Sequence, residues 1–263
     1  MNLLLAAASG WGKSYVCQAL TELNLPDYET TVVLDYKNEY WGLVDGDHGP
    51  GPAQWYPAGP NEAEHFQPHH YRELLEPQSV VVARHPRLSP DGWRTVCAGV
   101  IAEARRLGDA LVVVDEAHFV APQRQKTPHQ IKGLATTGRG EGASAMWVTQ
   151  RLTELEETVL AQTVARYLGG FESDNDLRKI RPITEYPEEV HRSGGHPVSG
   201  LPDSLEADGD AVSLRKWTDD RGRVTGSEWI YSDDSGTRER RDSSDLSPRC
   251  RHVGARGKPI RTE

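Results

Sequence analysis

The chain has 263 residues, 30 of them basic and 39 acidic, with a formal net charge of −9. This length suits one α/β domain with a small appendage, and because the longest apolar runs are only strand-length we expect neither a transmembrane helix nor a signal peptide. Three scattered cysteines (Cys17, Cys97 and Cys250) argue against a disulfide framework and for a reducing cytoplasm, and the net acidity requires any nucleic-acid contact to come from a local basic patch.

Strand-like and helix-like segments alternate along most of the chain. Five apolar, β-rich runs predict strands, and a sixth run is a further candidate: residues 3–8, 30–36, 79–85, 110–115, 143–149 and 166–171. Helical patterns occupy residues 13–23, 93–107, 126–136, 152–162 and 185–192, while Gly and Pro indicate a loop over residues 45–60. Continuous apolarity in the strands and their alternation with helices predict an α/β fold, a mostly parallel sheet with helices on both faces.

The composition changes after Ser193. Residues 210–217 and 223–231 flank turn-forming residues 218–222 and predict a β-hairpin. From Ser232 onward, apolar residues are nearly absent, which predicts a disordered tail. The end of this tail is basic, with Arg249, Arg251, Arg256, Lys258 and Arg261. We therefore expect three parts: a core over residues 1–193, an extension with a hairpin over residues 194–231, and a disordered tail over residues 232–263.

Residues 7–14 fit the Walker A pattern, with Ala in the first position. The motif follows the first predicted strand and opens the first predicted helix, so its backbone N–H groups and the helix N-terminus would attract phosphate oxygens. Lys13 would reach the β- and γ-phosphates of ATP, and the Ser14 hydroxyl would ligate Mg²⁺. The residues expected to contact the nucleotide are Ser9, Gly10, Trp11, Gly12, Lys13, Ser14 and Tyr15.

Trp11 is unusual inside such a loop, and two roles are open for its side chain. The indole either stacks on a nucleotide base or a neighbouring subunit, or packs beside the loop.

Two carboxylates follow the fourth predicted strand directly, in a Walker B arrangement. Asp115 would hold the Mg²⁺ coordination shell, and Glu116 would polarise the attacking water. A glutamate at this position favours hydrolysis over simple nucleotide binding. With Ala117 and His118 the segment spells the DEAH helicase box, but we find no other motif of that class and treat His118 as incidental.

The fifth predicted strand is flanked by two further polar candidates. Gln150 follows its carboxyl end, which is the edge where parallel sheets bind ligands, and would sense the γ-phosphate or orient the water. Arg139 lies between two glycines before the strand. That turn suits a side chain offered to an adjacent subunit's phosphates, and the alternative is an ordinary solvated arginine.

Together these residues resemble the HerA/FtsK superfamily of hexameric DNA-pumping ATPases, most closely its HerA side, which includes viral genome-packaging ATPases. The matches are residues 7–14, Asp35 with Glu39 and Tyr40, residues 113–117, Gly138 with Arg139, and residues 149–151. The resemblance covers roughly residues 2–180. It implies a RecA-like P-loop NTPase core, ATP and Mg²⁺ as cofactors, a homo-oligomeric ring, usually a hexamer, and double-stranded DNA as the partner.

The chain departs from the family in one respect: the Walker A motif stands almost at the start of this sequence, so we expect the family's N-terminal β-barrel to be absent. A compact viral or mobile-element ATPase is therefore expected, located in the host cytoplasm or in the virion. Only 7 of the 30 basic residues are lysines, which suits a salt-rich cytoplasm and a haloarchaeal or haloarchaeal-virus source; a GC-rich genome is the alternative explanation.

Three functions follow from these motifs. The leading one is a ring-shaped ATPase that translocates or packages DNA. The second is an ATP-dependent assembly or switch protein that moves no DNA, as in Zot-like virion assembly with a viral or membrane partner. The third, a small-molecule kinase, is disfavoured because no arginine-rich lid is found and a hydrolytic glutamate would waste ATP.

Overall fold

The computed structural model describes residues 1–46, 49–76 and 78–254. The strands are β1 (Asn2–Ala6), β2 (Thr30–Asp35), β3 (Asp45–Gly46), β4 (Gly49–Pro50), β5 (Gln54–Ala58), β6 (Ser79–Arg84), β7 (Ala110–Val114), β8 (Ala143–Thr149), β9 (Ala165–Leu168), β10 (Lys216–Thr218), β11 (Val224–Asp233) and β12 (Arg238–Asp242). The α-helices are α1 (Lys13–Asn24), α2 (Pro60–His65), α3 (Pro68–Leu74), α4 (Pro90–Leu107), α5 (Ala117–Val120), α6 (His129–Thr136), α7 (Glu157–Ala161) and α8 (Asp174–Ile180).

One ten-stranded sheet organises the chain. Its order is β10-β11-β9-β1-β8-β7-β2-β6-β5, with β12 also paired to β11, and β3 and β4 form a separate ribbon. All pairings from β9 to β5 are parallel, whereas the pairings of β11 are antiparallel. The predicted mostly parallel sheet is therefore confirmed, and all six apolar runs became strands within it.

The central strands are buried on both faces, as their continuous apolarity predicts. Alternate residues of β1 belong to different core clusters: Leu4 packs on one face, Leu5 on the other. The first face is covered by α3, α4, α6, α7 and α8. The second face is covered by α1 and by segments between Tyr186 and Ile230, so the C-terminal part completes the core.

Several predicted boundaries differ from the structure. The loop expected over residues 45–60 contains β5, an edge strand paired only with β6, where Pro57 is tolerated because that edge needs no further donor. The helix expected over residues 152–162 divides into a 3-10 turn (Leu152–Glu154) and α7, and residues 185–192 form only a 3-10 turn (Glu188–His191) after Pro187. Among the described residues, no helix is long and apolar enough to cross a membrane.

The prediction of a disordered tail from Ser232 is wrong for residues 232–254. Strand β11 continues to Asp233 beside β9, and β12 pairs with β11 from Arg238 to Asp242. Backbone pairing and ion pairs order this segment in place of apolar side chains, as the buried Arg240–Glu228 contact of 2.6 Å shows. The last part of the predicted tail, with Arg256, Lys258 and Arg261, lies outside the described residues.

An antiparallel pairing does form around the predicted hairpin turn, between β10 and β11. Its first arm is shorter than expected, because β10 begins only at Lys216. Since β11 also pairs with β9, the hairpin extends the core sheet and is not a separate appendage.

Candidate functional site

The phosphate loop connects β1 to α1. Gly10 and Gly12 have φ values of 69° and 86°, in the left-handed region that favours glycine, which lets the loop fold back toward the first turn of α1. The Lys13 ammonium donates to the Ala8 carbonyl at 2.9 Å across the loop. Burial lowers the pKa of Lys13 to about 8 despite the nearby Glu116 carboxylate, so an anion bound in the loop would stabilise the charged form.

The strand order brings the predicted site residues to one edge of the sheet. Because β1, β8 and β7 are parallel neighbours, the loop after β1, Gln150 after β8 and the acidic pair after β7 meet at their carboxyl ends. They line one cavity of about 330 Å³. The residues around it are Ser9, Gly10, Gly12, Lys13, Ser14, Lys37, Glu39, Asp115, Glu116, Gln150, Val224, His252 and Gly254.

Asp115 has the features of a ligand for a divalent cation. Its carboxylate is buried, and its Oδ2 atom has no hydrogen-bond partner among the described residues. Burial, reinforced by Asp35 and Glu116, raises the pKa of Asp115 well above its usual range. A hard cation is the partner that such a buried carboxylate lacks, and the Ser14 hydroxyl on the same cavity is a second oxygen ligand. These residues therefore fit Mg²⁺.

Glu116 is held in a strained conformation next to the phosphate loop. Its φ of 47° lies in the left-handed region, which is uncommon for a residue with a side chain and occurs where surrounding contacts fix it. Its Oε1 forms an ion pair with Lys37, and its Oε2 lies 3.3 Å from His118 Nδ1. The pairing with Glu116 raises the pKa of Lys37, although burial opposes the charged form.

His118 is not incidental to this arrangement. Its Nδ1 also lies 3.1 Å from the Thr149 hydroxyl, which accepts from the Arg151 amide, so the imidazole connects the ends of β7 and β8. Burial lowers the pKa of His118, which favours the neutral imidazole. It also lines a larger cavity of about 590 Å³ that contains no residue of the phosphate loop.

The turn after β2 places Lys37 and Glu39 in the site. The buried Asp35 carboxylate accepts hydrogen bonds from the amides of Lys37, Glu39 and Tyr40 at 3.1–3.2 Å. Asn38 adopts a φ of 60° within this turn. Asp35 thus orders the backbone so that its two charged neighbours face the cavity, while burial raises its own pKa to about 6.

Two of the residues expected to contact nucleotide have side chains outside the cavity. The Trp11 indole is 1% exposed, donates to the Glu228 carbonyl at 3.0 Å and fills space where a Cβ on Gly169 or Gly170 would lie only 2.4 Å away. It therefore packs beside the loop, the second of its two open roles. The Tyr15 hydroxyl donates to the Leu246 carbonyl at 2.7 Å. These two residues could therefore contact a bound phosphate only through their backbone amides.

Arg139 is not brought to the cavity. It lies exposed on a 3-10 turn (Gly138–Glu141) that precedes β8, whereas Gln150 follows β8. The structure therefore places Arg139 at the opposite edge of the sheet from the phosphate loop, as expected for a residue that precedes the strand.

Five residues of the cavity were not expected from the sequence. Lys37 and Glu39 lie within the segment that resembles the superfamily after the second strand, so that motif was the available signal. Val224, His252 and Gly254 come from the C-terminal part, where composition predicted a hairpin and a tail without any site residue.

Comparison with known proteins supports the fold. No protein-family model matches the chain, and no curated protein matches it. The genome packaging NTPase B204 from Sulfolobus turreted icosahedral virus 2, in complex with ATP-gammaS, has a TM-score of 0.57 at 17% identity over 90% of this chain and 95% of that chain. The DNA-packaging ATPase B204 from Sulfolobus turreted icosahedral virus has a TM-score of 0.54 at 15% identity over 91% and 95%. The chain thus has the P-loop NTPase fold.

Proposed function

We propose that this chain binds ATP with Mg²⁺, hydrolyses it, and uses the energy to translocate or package DNA. The observation that supports the nucleotide assignment is the convergence of Lys13, Asp115 and Glu116 on one cavity at the carboxyl edge of the sheet. Sequence spacing alone suggested this convergence, and the parallel order of β1, β8 and β7 supplies its geometry.

Each residue has a defined part in the proposed hydrolysis. The loop amides and Lys13 would bind the phosphates, while Ser14 and Asp115 would hold Mg²⁺, which neutralises charge on the β- and γ-phosphates. Glu116 would orient water for attack on the γ-phosphorus and take up its proton, with ADP as the leaving group. Gln150 would sense the γ-phosphate or align that water.

The proposal extends to a ring, most simply a hexamer of the HerA-like type acting on double-stranded DNA. The solved structures that share this fold include proteins described as a genome packaging NTPase and a DNA-packaging ATPase. An exposed Arg139 at the opposite sheet edge is suited to a neighbouring subunit's nucleotide, so that hydrolysis would depend on assembly. The acidic, arginine-rich composition supports a haloarchaeal or viral source and a salt-rich host cytoplasm.

The test is the rate of ATP hydrolysis by the full chain in high salt, measured with and without double-stranded DNA and alongside the mass of the assembly. We expect hydrolysis that requires Mg²⁺, rises with DNA and coincides with a ring-sized mass. Lys13→Ala is the matched control and should bind ATP weakly and hydrolyse none, because the loop loses its cation.

Two outcomes would contradict the proposal. Normal turnover by Lys13→Ala would overturn the nucleotide site. Hydrolysis by the wild-type chain that is indifferent to DNA, yet stimulated by a capsid or membrane partner, would favour an assembly or switch protein.

A further inference from the structure

The segment of residues 246–254, which we call the C-terminal strap, lies along α1 beside the phosphate loop. The Glu22 carboxylate accepts hydrogen bonds from the backbone amides of Arg249 and Cys250. On its other side, the strap passes so close to Gly42 that a Cβ there would lie 1.8 Å from the Arg251 carbonyl oxygen. The strap therefore contacts the rest of the chain on both sides, at Glu22 and at Gly42, although its polar composition alone predicts no such packing.

Within the strap, His252 touches a predicted Mg²⁺ ligand. Its Nε2 lies 3.3 Å from the Ser14 hydroxyl, and its Nδ1 lies 3.1 Å from the Gln18 side-chain oxygen. The ring also packs edge-on against Tyr15, with centroids 5.7 Å apart.

The hydrogen-bond partners of Gln18 fix the direction of this chain of contacts. The Gln18 amide nitrogen faces two acceptors, Glu22 Oε1 and the Cys250 carbonyl, both at 3.0 Å, which sets the orientation of the amide group. Its oxygen must then accept from His252, so Nδ1 bears the imidazole proton. Nε2 of the neutral ring is left as an acceptor, and the Ser14 hydroxyl must donate to it.

We propose that His252 is a positioning residue for Mg²⁺ binding: by accepting a hydrogen bond from the Ser14 hydroxyl, it turns the lone pairs of that hydroxyl toward the cation position beside Asp115. This inference rests on the proposed nucleotide site. It makes the C-terminal strap part of that site, through a histidine that lies 238 residues after the serine it orients.

The physical reason is that a hydroxyl can ligate a cation only through its lone pairs. Without an acceptor behind it, the Ser14 proton is free to rotate toward the cation position and oppose binding. Partners that orient metal ligands in this way typically contribute about 10–100-fold to metal affinity. The strap would therefore act on the magnesium-dependent part of nucleotide binding, and the loop amides and Lys13 would act without it.

The experiment titrates the full chain with a fluorescent, non-hydrolysable ATP analogue across a range of Mg²⁺ concentrations and in EDTA. For His252→Ala, we expect the Mg²⁺ concentration that gives half of the affinity gain to rise about tenfold or more, with the affinity in EDTA unchanged. His252→Gln should recover most of the effect, since its side-chain oxygen can stand where Nε2 stands. Val253→Ala, an equivalent truncation on the strap, should match the wild type.

A second variant tests the strap apart from the imidazole. Glu22→Ala removes the carboxylate that holds the backbone of the strap and should shift the Mg²⁺ requirement in the same direction. Circular dichroism checks that the variants are folded. If His252→Ala does not fold, Glu22→Ala and His252→Gln test the positioning role in its place.

The outcomes separate this inference from the proposed function. A wild-type chain whose analogue binding gains nothing from Mg²⁺ overturns the proposed nucleotide site itself. If Mg²⁺ increases the affinity of the wild-type chain for the analogue, but His252→Ala and Glu22→Ala need no more Mg²⁺ than the wild type, only the positioning role is overturned. A lower Mg²⁺ requirement in His252→Ala would also overturn it, since the strap would then compete with the cation.

Discussion

At the scale of single residues, the site holds Glu116, the proposed general base, in a backbone conformation that is uncommon for a residue with a side chain. Glu116 combines a left-handed backbone with a side chain that is 3% exposed, between Lys37 and His118. Lys37 pairs with its Oε1 atom, whereas its Oε2 atom lies 3.3 Å from His118 and has no hydrogen-bond partner among the described residues. This arrangement suits a general base more than a group that only binds substrate.

Glu116→Gln should accordingly bind ATP with near-normal affinity but hydrolyse it roughly 10²–10⁴-fold more slowly, the usual effect of losing a general base. Single-turnover hydrolysis and analogue binding, measured on the same preparation, test both halves of the prediction. If a folded Glu116→Gln chain no longer binds ATP, the carboxylate contributes to nucleotide binding and is not the general base.

His191, which does not line the cavity, offers a prediction about stability. It is fully buried, with Nδ1 2.9 Å from the Gly169 carbonyl oxygen and Nε2 3.2 Å from the Tyr186 hydroxyl. Burial lowers its pKa to about 4 in the folded chain, whereas an unfolded histidine titrates near about 6.5. Between these values only the unfolded chain binds the proton, so stability falls as the pH falls, by roughly 3 kcal/mol at the acid end.

His191→Asn keeps a donor for the Gly169 carbonyl but cannot titrate. The difference in unfolding free energy between wild type and variant should therefore shrink as the pH drops from about 6.5 to about 4. Denaturant unfolding at stepped pH measures it, with exposed His129→Asn as the comparison. A difference that stays constant with pH would show that His191 is not held neutral by the fold.

At the scale of elements, the C-terminal strands are stabilised by buried charge. Arg240 of β12 and Glu228 of β11 have side chains only 7% exposed, and Arg240 also donates to the carbonyls of Leu205, Val212 and Ser213. Its hydrogen bonds, together with those of Arg215, lower the pKa of Glu228 although burial alone would raise it. The two strands are thus coupled to the segment that covers the second face of the sheet.

Arg240→Ala should destabilise the chain by about 3–5 kcal/mol, because it leaves a buried carboxylate short of a partner and three carbonyls short of donors. Thermal or denaturant unfolding measures the loss, and Arg221→Ala in the exposed hairpin turn is the control. Deleting residues 232–263 should be more damaging still, since it removes β12 and also the pairs that Ser232 and Asp233 form with β9. If the truncated chain unfolds at the same temperature as the full chain, residues 232–263 do not contribute to stability, as their composition suggests.

Elements that are stabilised by their own apolar residues could be predicted from the sequence, whereas elements that are ordered by distant partners could not. The strands β1, β2, β6, β7 and β8 could be predicted because burial on both faces demands continuous apolar runs. Strand β12 could not, because its polar residues are ordered by pairing with β11 and by ion pairs across the fold. The same holds in the site: Lys13 and Asp115 follow a local motif, but nothing local to His252 indicates that it reaches Ser14.

At the scale of the whole molecule, the sheet separates two polar edges. The phosphate loop and Gln150 lie at the carboxyl end of β8, and Arg139 precedes its start. Seven residues of strand, at about 3.3 Å each, put roughly 23 Å between these edges, far beyond the reach of an arginine side chain. Any action of Arg139 on a γ-phosphate must therefore occur in a neighbouring subunit.

Arg139→Ala consequently distinguishes a ring from a lone enzyme. An arginine supplied in trans contributes on the order of 10³–10⁵ in rate where such residues act, so the variant should bind ATP normally yet hydrolyse almost none. Mixing it with Lys13→Ala should restore part of the activity, because some interfaces in mixed rings then combine an intact phosphate loop with an intact arginine. Hydrolysis is measured across mixing ratios, with co-assembly shown by mass. Co-assembled mixtures that stay inactive would argue against action in trans, and full activity of Arg139→Ala alone would make this residue an ordinary surface arginine.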